Sequence, residues 1–361
     1  LAKKYNIEVI EKEETAEDIA KRQRNESLIL VSEYAGRFFQ ESLKTPEGQS
    51  IAYQYFRSRG LQDETIRKYG LGWAPVSRRA LSEAARAAGY KEKFLIETGL
   101  SIKYDDGRLV DRFFDRVIFP IHSESGRVIA FGGRVMRKDD RTAKYLNSPE
   151  SPVYSKTNSL YGLYFAKAAI TKHNYCILVE GYTDVIQMHQ KGIENVVASS
   201  GTSLTTEQIR LIGRFTRNIT VIYDGDSAGQ HASLRGIDMI LKEGMNVRVV
   251  LLPPEHDPDS FARSHNATEV QNYIGQNAQN FITFKAELLL KEAAADPIKR
   301  SAVTKDMVQS IAQIPDTIQR SMFIKECARI MDVDENMLIS EVARYRMMSL
   351  GDSEAEAFIR R

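Results

Sequence analysis

Five carboxylates stand where they can act together. Glu180 closes the run CILVE, Asp224 and Asp226 follow ITVIY in the tripeptide DGD, and Asp257 and Asp259 follow VRVVLL in EHDPDSF. Side chains two apart in extended backbone share a face, so Asp224 and Asp226 can point into one cavity, with Gly225 easing the turn. Carboxylates held that close stay ionised only when a cation neutralises them. An oxygen-only set without Cys or His suits Mg²⁺ or Mn²⁺ and does not suit zinc. Singly, each fragment has an ordinary explanation: Glu-Gly is a common turn, and Asp257 and Asp259 flank Pro258 as a helix start does. Their joint position after three strands is what points to a metal site. DGD lacks the spaced ligands and final Glu of an EF-hand, and the chain contains no G-x-x-x-x-G-K-[ST] phosphate loop.

The elements around these residues must form an open parallel sheet. CILV (176–179), NVVA (195–198), ITVIY (219–223) and VRVVLL (247–252) are short Val/Ile/Leu strands separated by amphipathic helices, one of them spanning 228–241. In such a sheet the ligand crevice lies outside the carboxyl ends of the strands, where the five acids fall. Upstream, FFDRVIFPIH and RVIAFGGRVM joined by SESG predict a β-hairpin, and residues 137–160 read as a polar loop. Residues 26–100 have mainly helical spacing, and from about 268 onward the pattern is wholly helical. The expected organisation is a tether over 1–25, a basic α+β subdomain over 26–155, a parallel α/β domain over 156–282 and a helical subdomain over 283–361.

Composition narrows the class. The chain has 361 residues, 42% hydrophobic and 27% charged, with a formal net charge of +2, which is ordinary for a globular protein. No apolar stretch is long enough for a membrane span or a signal peptide, so a cytoplasmic protein without membrane contact is expected. The chain begins with Leu1, which predicts a piece of something longer. Cys176 and Cys327 lie far apart in apolar segments and predict reduced, buried thiols, with no zinc site. His122, His173, His189, His231, His256 and His265 show no ligand spacing, and a surface or core role is expected for each. Charge is polarised along the chain: from Gly107 to Lys172 Lys and Arg are twice as numerous as Asp and Glu, whereas from Asn174 to Ser260 acids are in excess. A basic surface suits polyanions, and an acidic neighbour admits them when a cation intervenes.

Three of these segments carry a family likeness. ILVEGYTDVIQMHQKGIENVVASSGTSLT, VIYDGDSAGQHA and DPDSF resemble the three motifs of the Toprim domain, shared by bacterial primases, topoisomerases, some nucleases and RecR-type repair proteins. The upstream FFDRVIFPI, GRVIAFGGRV, KYLNSPES and LYG resemble the basic amino-terminal half of the catalytic core in bacterial DnaG-type primases, a likeness that covers roughly residues 26–265. The resemblance implies a Toprim-type parallel sheet flanked by helices, preceded by an α+β basic subdomain and followed by a helical one. It implies that Glu180, Asp224 and Asp226 bind more than one Mg²⁺ or Mn²⁺ ion for nucleotidyl transfer. Asp184 in EGYTD matches a further acidic position, and Asp257 and Asp259 match the third acidic motif. Glu180 as metal ligand and Glu180 as general base both stand open. Template and nucleotide binding would fall on Arg134 in FGGRV, Lys144 and Asn147 in KYLNSP, Lys156 in YSKTN and Arg59 in RSRGL, with Tyr145 and Tyr154 available for base stacking.

The implied activity is RNA primer synthesis on single-stranded DNA from ribonucleoside triphosphates at a bacterial replication fork. A Toprim nuclease or topoisomerase, or a non-catalytic RecR-like DNA-binding module, is the alternative. Family members also carry an amino-terminal zinc-binding domain and a carboxyl-terminal domain that docks on the replicative helicase. Neither is expected in this chain, so contacts with the helicase and with single-strand-binding protein would use regions outside it.

Overall fold

The computed structural model describes residues 15–136, 143–201, 203–223, 227–293 and 296–359. They divide into two compact units. The first comprises the described residues up to Gln54 together with Gly70–Ser155; the second comprises Tyr55–Tyr69 and the described residues from Lys156 onward.

In the first unit the helix Ala16–Leu43 starts at a capping box. The Thr15 hydroxyl accepts from the Asp18 N–H at 3.1 Å, and the Asp18 carboxylate accepts from the Thr15 N–H at 3.2 Å. It therefore begins inside the stretch expected as a tether. Its first turns are fully exposed, so capping chemistry starts this helix and no apolar period announces it. Further along, Leu28, Val31, Ala35 and Phe39 recur every three or four residues and are buried. They face a four-stranded antiparallel sheet in the order β1 (Gly72–Ala74), β4 (Arg116–His122), β5 (Val128–Val135) and β6 (Tyr145–Asn147); β2 (Ser101–Lys103) and β3 (Leu109–Asp111) pair separately. Phe39 and Phe131 meet edge to face, 5.3 Å between centroids. Gly72 is required here, because a Cβ would lie 2.7 Å from the Phe39 backbone. The β4–β5 hairpin turns through 123–126 as its residues predict, with Phe119 opposite Gly132.

The second unit is built on a five-stranded sheet in the order β11 (Gln279–Asn280), β10 (Asn246–Leu251), β9 (Asn218–Tyr223), β7 (Cys176–Val179), β8 (Val196–Ala198). The four central and outer strands from β10 to β8 run parallel, while β11 is a short antiparallel edge that helical spacing does not reveal. The segment Tyr55–Tyr69, distant in sequence, docks on the helix Tyr182–Gln190. Gln187 Nε2 donates to the Arg59 carbonyl, Gln190 Nε2 donates to the Gly60 carbonyl at 2.9 Å, and the Gln62 N–H donates to Gln190 Oε1 at 2.8 Å. The helices Phe281–Ala293, Pro297–Ala312 and Thr317–Met331 share one apolar core with the sheet, through Phe281, Phe284, Met307, Ile311 and Cys327. Within it the fully buried Lys285 donates to Asp306 Oδ2 at 2.9 Å and to Ser310 Oγ, 3.4 Å from Asp238 Oδ1. A buried ammonium needs such partners, and these ones tie the helix Ser227–Lys242 to the carboxyl-terminal helices.

His189 is buried beside Tyr69 and Phe165, and burial, with the Lys68 charge adding to it, lowers its pKa to about 4. The unfolded chain takes up a proton on this imidazole near pH 6.5 that the folded unit refuses until about pH 4, so stability is lost as pH falls through that window. The contribution is about 3 kcal/mol once acidification is complete. Urea denaturation across the window should show this loss, and His189→Gln should remove most of it; an unchanged slope would exclude His189 as its source.

Candidate active site

Glu180 follows β7 directly, and its exposed side chain opens on a cavity of about 620 Å³ at the carboxyl ends of the parallel strands. Leu178, Ser203, Tyr223, Arg235 and Met239 also line it. The Ser200 N–H donates to the Glu180 carbonyl at 3.1 Å, binding the turn after β8 to the end of β7. That turn holds Ser200 at φ 56° and Gly201 at φ 81°, so it is a shaped wall and not a simple crossover. Asp224 and Asp226 lie outside the described residues. Tyr223, immediately before them, lines the cavity.

The remaining acids have defined partners. Asp184 is buried in the first turn of Tyr182–Gln190, where its Oδ2 accepts from the Gly181 N–H at 2.8 Å and caps the helix. Asp257 caps Pro258–Ser264 by accepting from the Ser260 N–H at 2.6 Å. Burial alone would raise its carboxyl, but the hydrogen bonds from Ser260 and the charges of Arg59 and Arg263 hold it below the usual range. Asp259 is 1% exposed and accepts from Arg59 Nη1, with Arg263 Nε 3.5 Å from its other oxygen. Burial raises its pKa against the pull of both arginines. Among the described residues no group of three His, Cys, Asp or Glu can hold a metal ion. At the cavity the charged donor is the Glu180 carboxylate, with serine hydroxyls nearby, and this oxygen-only chemistry fits Mg²⁺ or Mn²⁺. Cys176 and Cys327 are buried free thiols away from this wall.

The basic residues fall into two sets. Arg134 of β5 lies opposite Tyr145 of β6, and Asn147 lies opposite Gly132, so Arg134, Tyr145 and Asn147 share one face of the first unit's sheet. Lys144 is exposed at the start of β6, where its carbonyl accepts from the Val135 N–H at 3.0 Å. Tyr154, by contrast, is 6% exposed, and its burial suits packing better than base stacking. Lys156 belongs to the second unit, in a short 3₁₀ turn whose carbonyl accepts from Gln208 Nε2 at 3.2 Å. The structure thus gathers Arg134, Lys144 and Asn147, and separately pairs Arg59 with Asp259. Sequence reasoning passed over Arg235 and the placement of Ser203; the one available signal was the amphipathic helix that follows the DGD tripeptide.

A parallel sheet with an isolated glutamate after one strand and a paired acidic motif after the strand beside it defines a Toprim domain. Family models match accordingly: "DNA primase catalytic core, N-terminal domain" over residues 38–167, "Toprim-like" over 177–262 and "DnaB-helicase binding domain of primase" over 284–336. A DNA primase domain from Pseudomonas aeruginosa is 32% identical with a TM-score of 0.79, the match covering 89% of this chain and 99% of that one. A DnaG primase catalytic domain bound to ssDNA is 33% identical with a TM-score of 0.75, covering 85% and 99%. The chain belongs to the family of DnaG-type DNA primase catalytic cores. The DNA primase of Clostridium acetobutylicum is 36% identical over 332 residues, 91% of this chain and 53% of the relative. The chain spans about half the length of the curated relatives it matches.

The match over 284–336 corrects one expectation, that helicase-binding sequence lies outside this chain. A helical docking surface uses apolar spacing and scattered charge, which any packed helix also shows, so it leaves no local chemical motif to read. Among the described residues no helix is long and apolar enough to cross a membrane.

Proposed function

We propose that this chain is the RNA polymerase core of a bacterial primase, joining ribonucleotides on a single-stranded DNA template. The observation that carries the proposal is Glu180, exposed at the mouth of a strand-end cavity with no histidine or cysteine among its described lining residues, in a chain of this family. Glu180, Asp224 and Asp226 would hold Mg²⁺ or Mn²⁺, which would activate the attacking hydroxyl and neutralise the leaving pyrophosphate. In the reaction a 3′-oxygen bonds to the α-phosphorus of the incoming triphosphate. The bond to the α–β bridging oxygen breaks, pyrophosphate leaves with the electron pair, and the hydroxyl proton is lost to a base or to solvent.

Asp184 and Asp257 support the cavity as helix caps, and Asp259 with Arg59 holds the frame around it. Arg134, Lys144, Asn147 and Lys156 would contact template or nucleotide, a reading supported by their basic surroundings and by the relative solved with ssDNA. Helicase contact would use residues 284–336. The subdivision into 26–155, 156–282 and 283–361 is proposed as the division of labour between template binding, chemistry and helicase docking. The deciding experiment is incorporation of labelled ribonucleotide on single-stranded DNA with Mg²⁺ or Mn²⁺. Strand cleavage without incorporation would instead favour a Toprim nuclease, and binding without either a RecR-like module.

Lys144 makes a separate prediction. Because it is exposed, Lys144→Ala should leave the fold intact and weaken single-stranded DNA binding, less so as salt rises. The slope of log affinity against log salt should flatten by about 0.7 for one lost phosphate contact. Anisotropy titrations at several salt concentrations read it, and an unchanged slope would make Lys144 a solvated surface residue.

A further inference from the structure

The cavity that holds Glu180 contains one feature that the carboxylates do not explain. Arg235, on the helix Ser227–Lys242, lines the same cavity, and among the described lining residues it carries the only positive charge. Its side chain is exposed, and among the described residues no hydrogen bond or ion pair engages it. Neighbouring arginines are differently used: Arg210 is held by both carboxylate oxygens of Glu243 at 2.8 and 3.1 Å. The exposed Ser203 adds a hydroxyl donor to the cavity, and Leu178, Tyr223 and Met239 supply apolar walls. An arginine left open in a cavity is available to a polyanion, because its planar fork matches phosphate oxygens two at a time.

We propose that Arg235, with Ser203 lining the same cavity, is the polyphosphate-binding element of this cavity, taking the β- and γ-phosphates of the incoming nucleoside triphosphate and the pyrophosphate as it leaves. This assignment rests on the nucleotidyl-transfer reading above. It adds a contact from the sheet domain itself to those assigned to the basic residues.

The test compares wild type, Arg235→Ala and Arg235→Lys. Binding of a fluorescent ribonucleoside triphosphate in Mg²⁺ is measured by anisotropy, together with KM, kcat, pyrophosphate inhibition and single-stranded DNA affinity. Loss of one charge-assisted contact should weaken triphosphate binding by about 10- to 100-fold. KM for nucleotide and the pyrophosphate inhibition constant should rise in step, DNA affinity should stay at the wild-type value, and Arg235→Lys should recover part of the loss. A structural role would shift the melting temperature without this selectivity. Wild-type triphosphate and pyrophosphate affinities in Arg235→Ala would overturn the assignment, and so would a wild type that binds no triphosphate. If wild type binds triphosphate through Arg235 but incorporates none, the polymerase reading fails and the phosphate site stands.

Discussion

Glu180→Gln, Asp224→Asn and Asp226→Asn are each expected to lower ribonucleotide incorporation by on the order of 10³-fold, because each removes several kcal/mol of charge stabilisation at the reacting phosphate. The replacements keep side-chain volume nearly constant. Glu180 is exposed, and its bond to the Ser200 N–H uses the backbone carbonyl, so among the described residues Glu180→Gln breaks no side-chain hydrogen bond or ion pair. Melting temperatures measured in EDTA should not fall, since, on the metal-site reading, removing one of the site's negative charges would relieve repulsion. Single-stranded DNA affinity should also persist, which separates a chemical defect from a binding defect. Near wild-type synthesis by any of the three at saturating Mg²⁺ would remove that residue from the reaction.

The largest effect on stability is expected at Arg59. Asp259 is 1% exposed and relies on Arg59, with Arg263 contributing at 3.5 Å. Arg59→Met leaves a buried carboxylate with weakened compensation, which costs about 3–5 kcal/mol. Because burial already raises the Asp259 pKa, the carboxyl can escape part of this penalty by taking a proton. The difference between wild type and variant should therefore be largest at neutral pH and shrink as pH falls through the raised pKa. Replacing both partners by apolar residues of similar volume should recover much of the loss, since no uncompensated charge remains. Chemical denaturation of the three proteins at neutral and acidic pH measures this. If Arg59→Met is as stable as wild type yet loses template affinity, Arg59 serves the template and not the frame.

These two predictions mark the difference between what local pattern reveals and what it hides. β7, β8 and β9 were legible because strands buried on both faces read as runs rich in Val, Ile and Leu, and the placement of Glu180 outside their carboxyl ends follows from parallel topology. The β4–β5 hairpin was legible because SESG can make the turn between two β-rich runs. The start of the helix Ala16–Leu43 was not, since its first turns bury nothing and depend on Thr15 and Asp18. The likeness of 284–336 to a helicase-binding domain also stayed hidden, because its helices carry the same periodicity as core helices.

The sequence by itself determined which residue types stand where: carboxylates after three strands, and a basic segment ahead of them. Only the tertiary structure decided which charges are spoken for. Arg59 and Asp259 are 200 residues apart and read singly as a nucleotide contact and a metal ligand, yet the docking of Tyr55–Tyr69 on the helix Tyr182–Gln190 makes them each other's partner. Lys285 looks like any surface lysine until the packing of three helices buries it against Asp306 and Ser310. Arg235 looks equally ordinary, and folding leaves it open at the cavity. Spacing along the chain governs hydrogen bonds and faces within one element. Whether a charge is desolvated, paired or available depends on neighbours supplied by distant segments, and that is settled only when the elements pack.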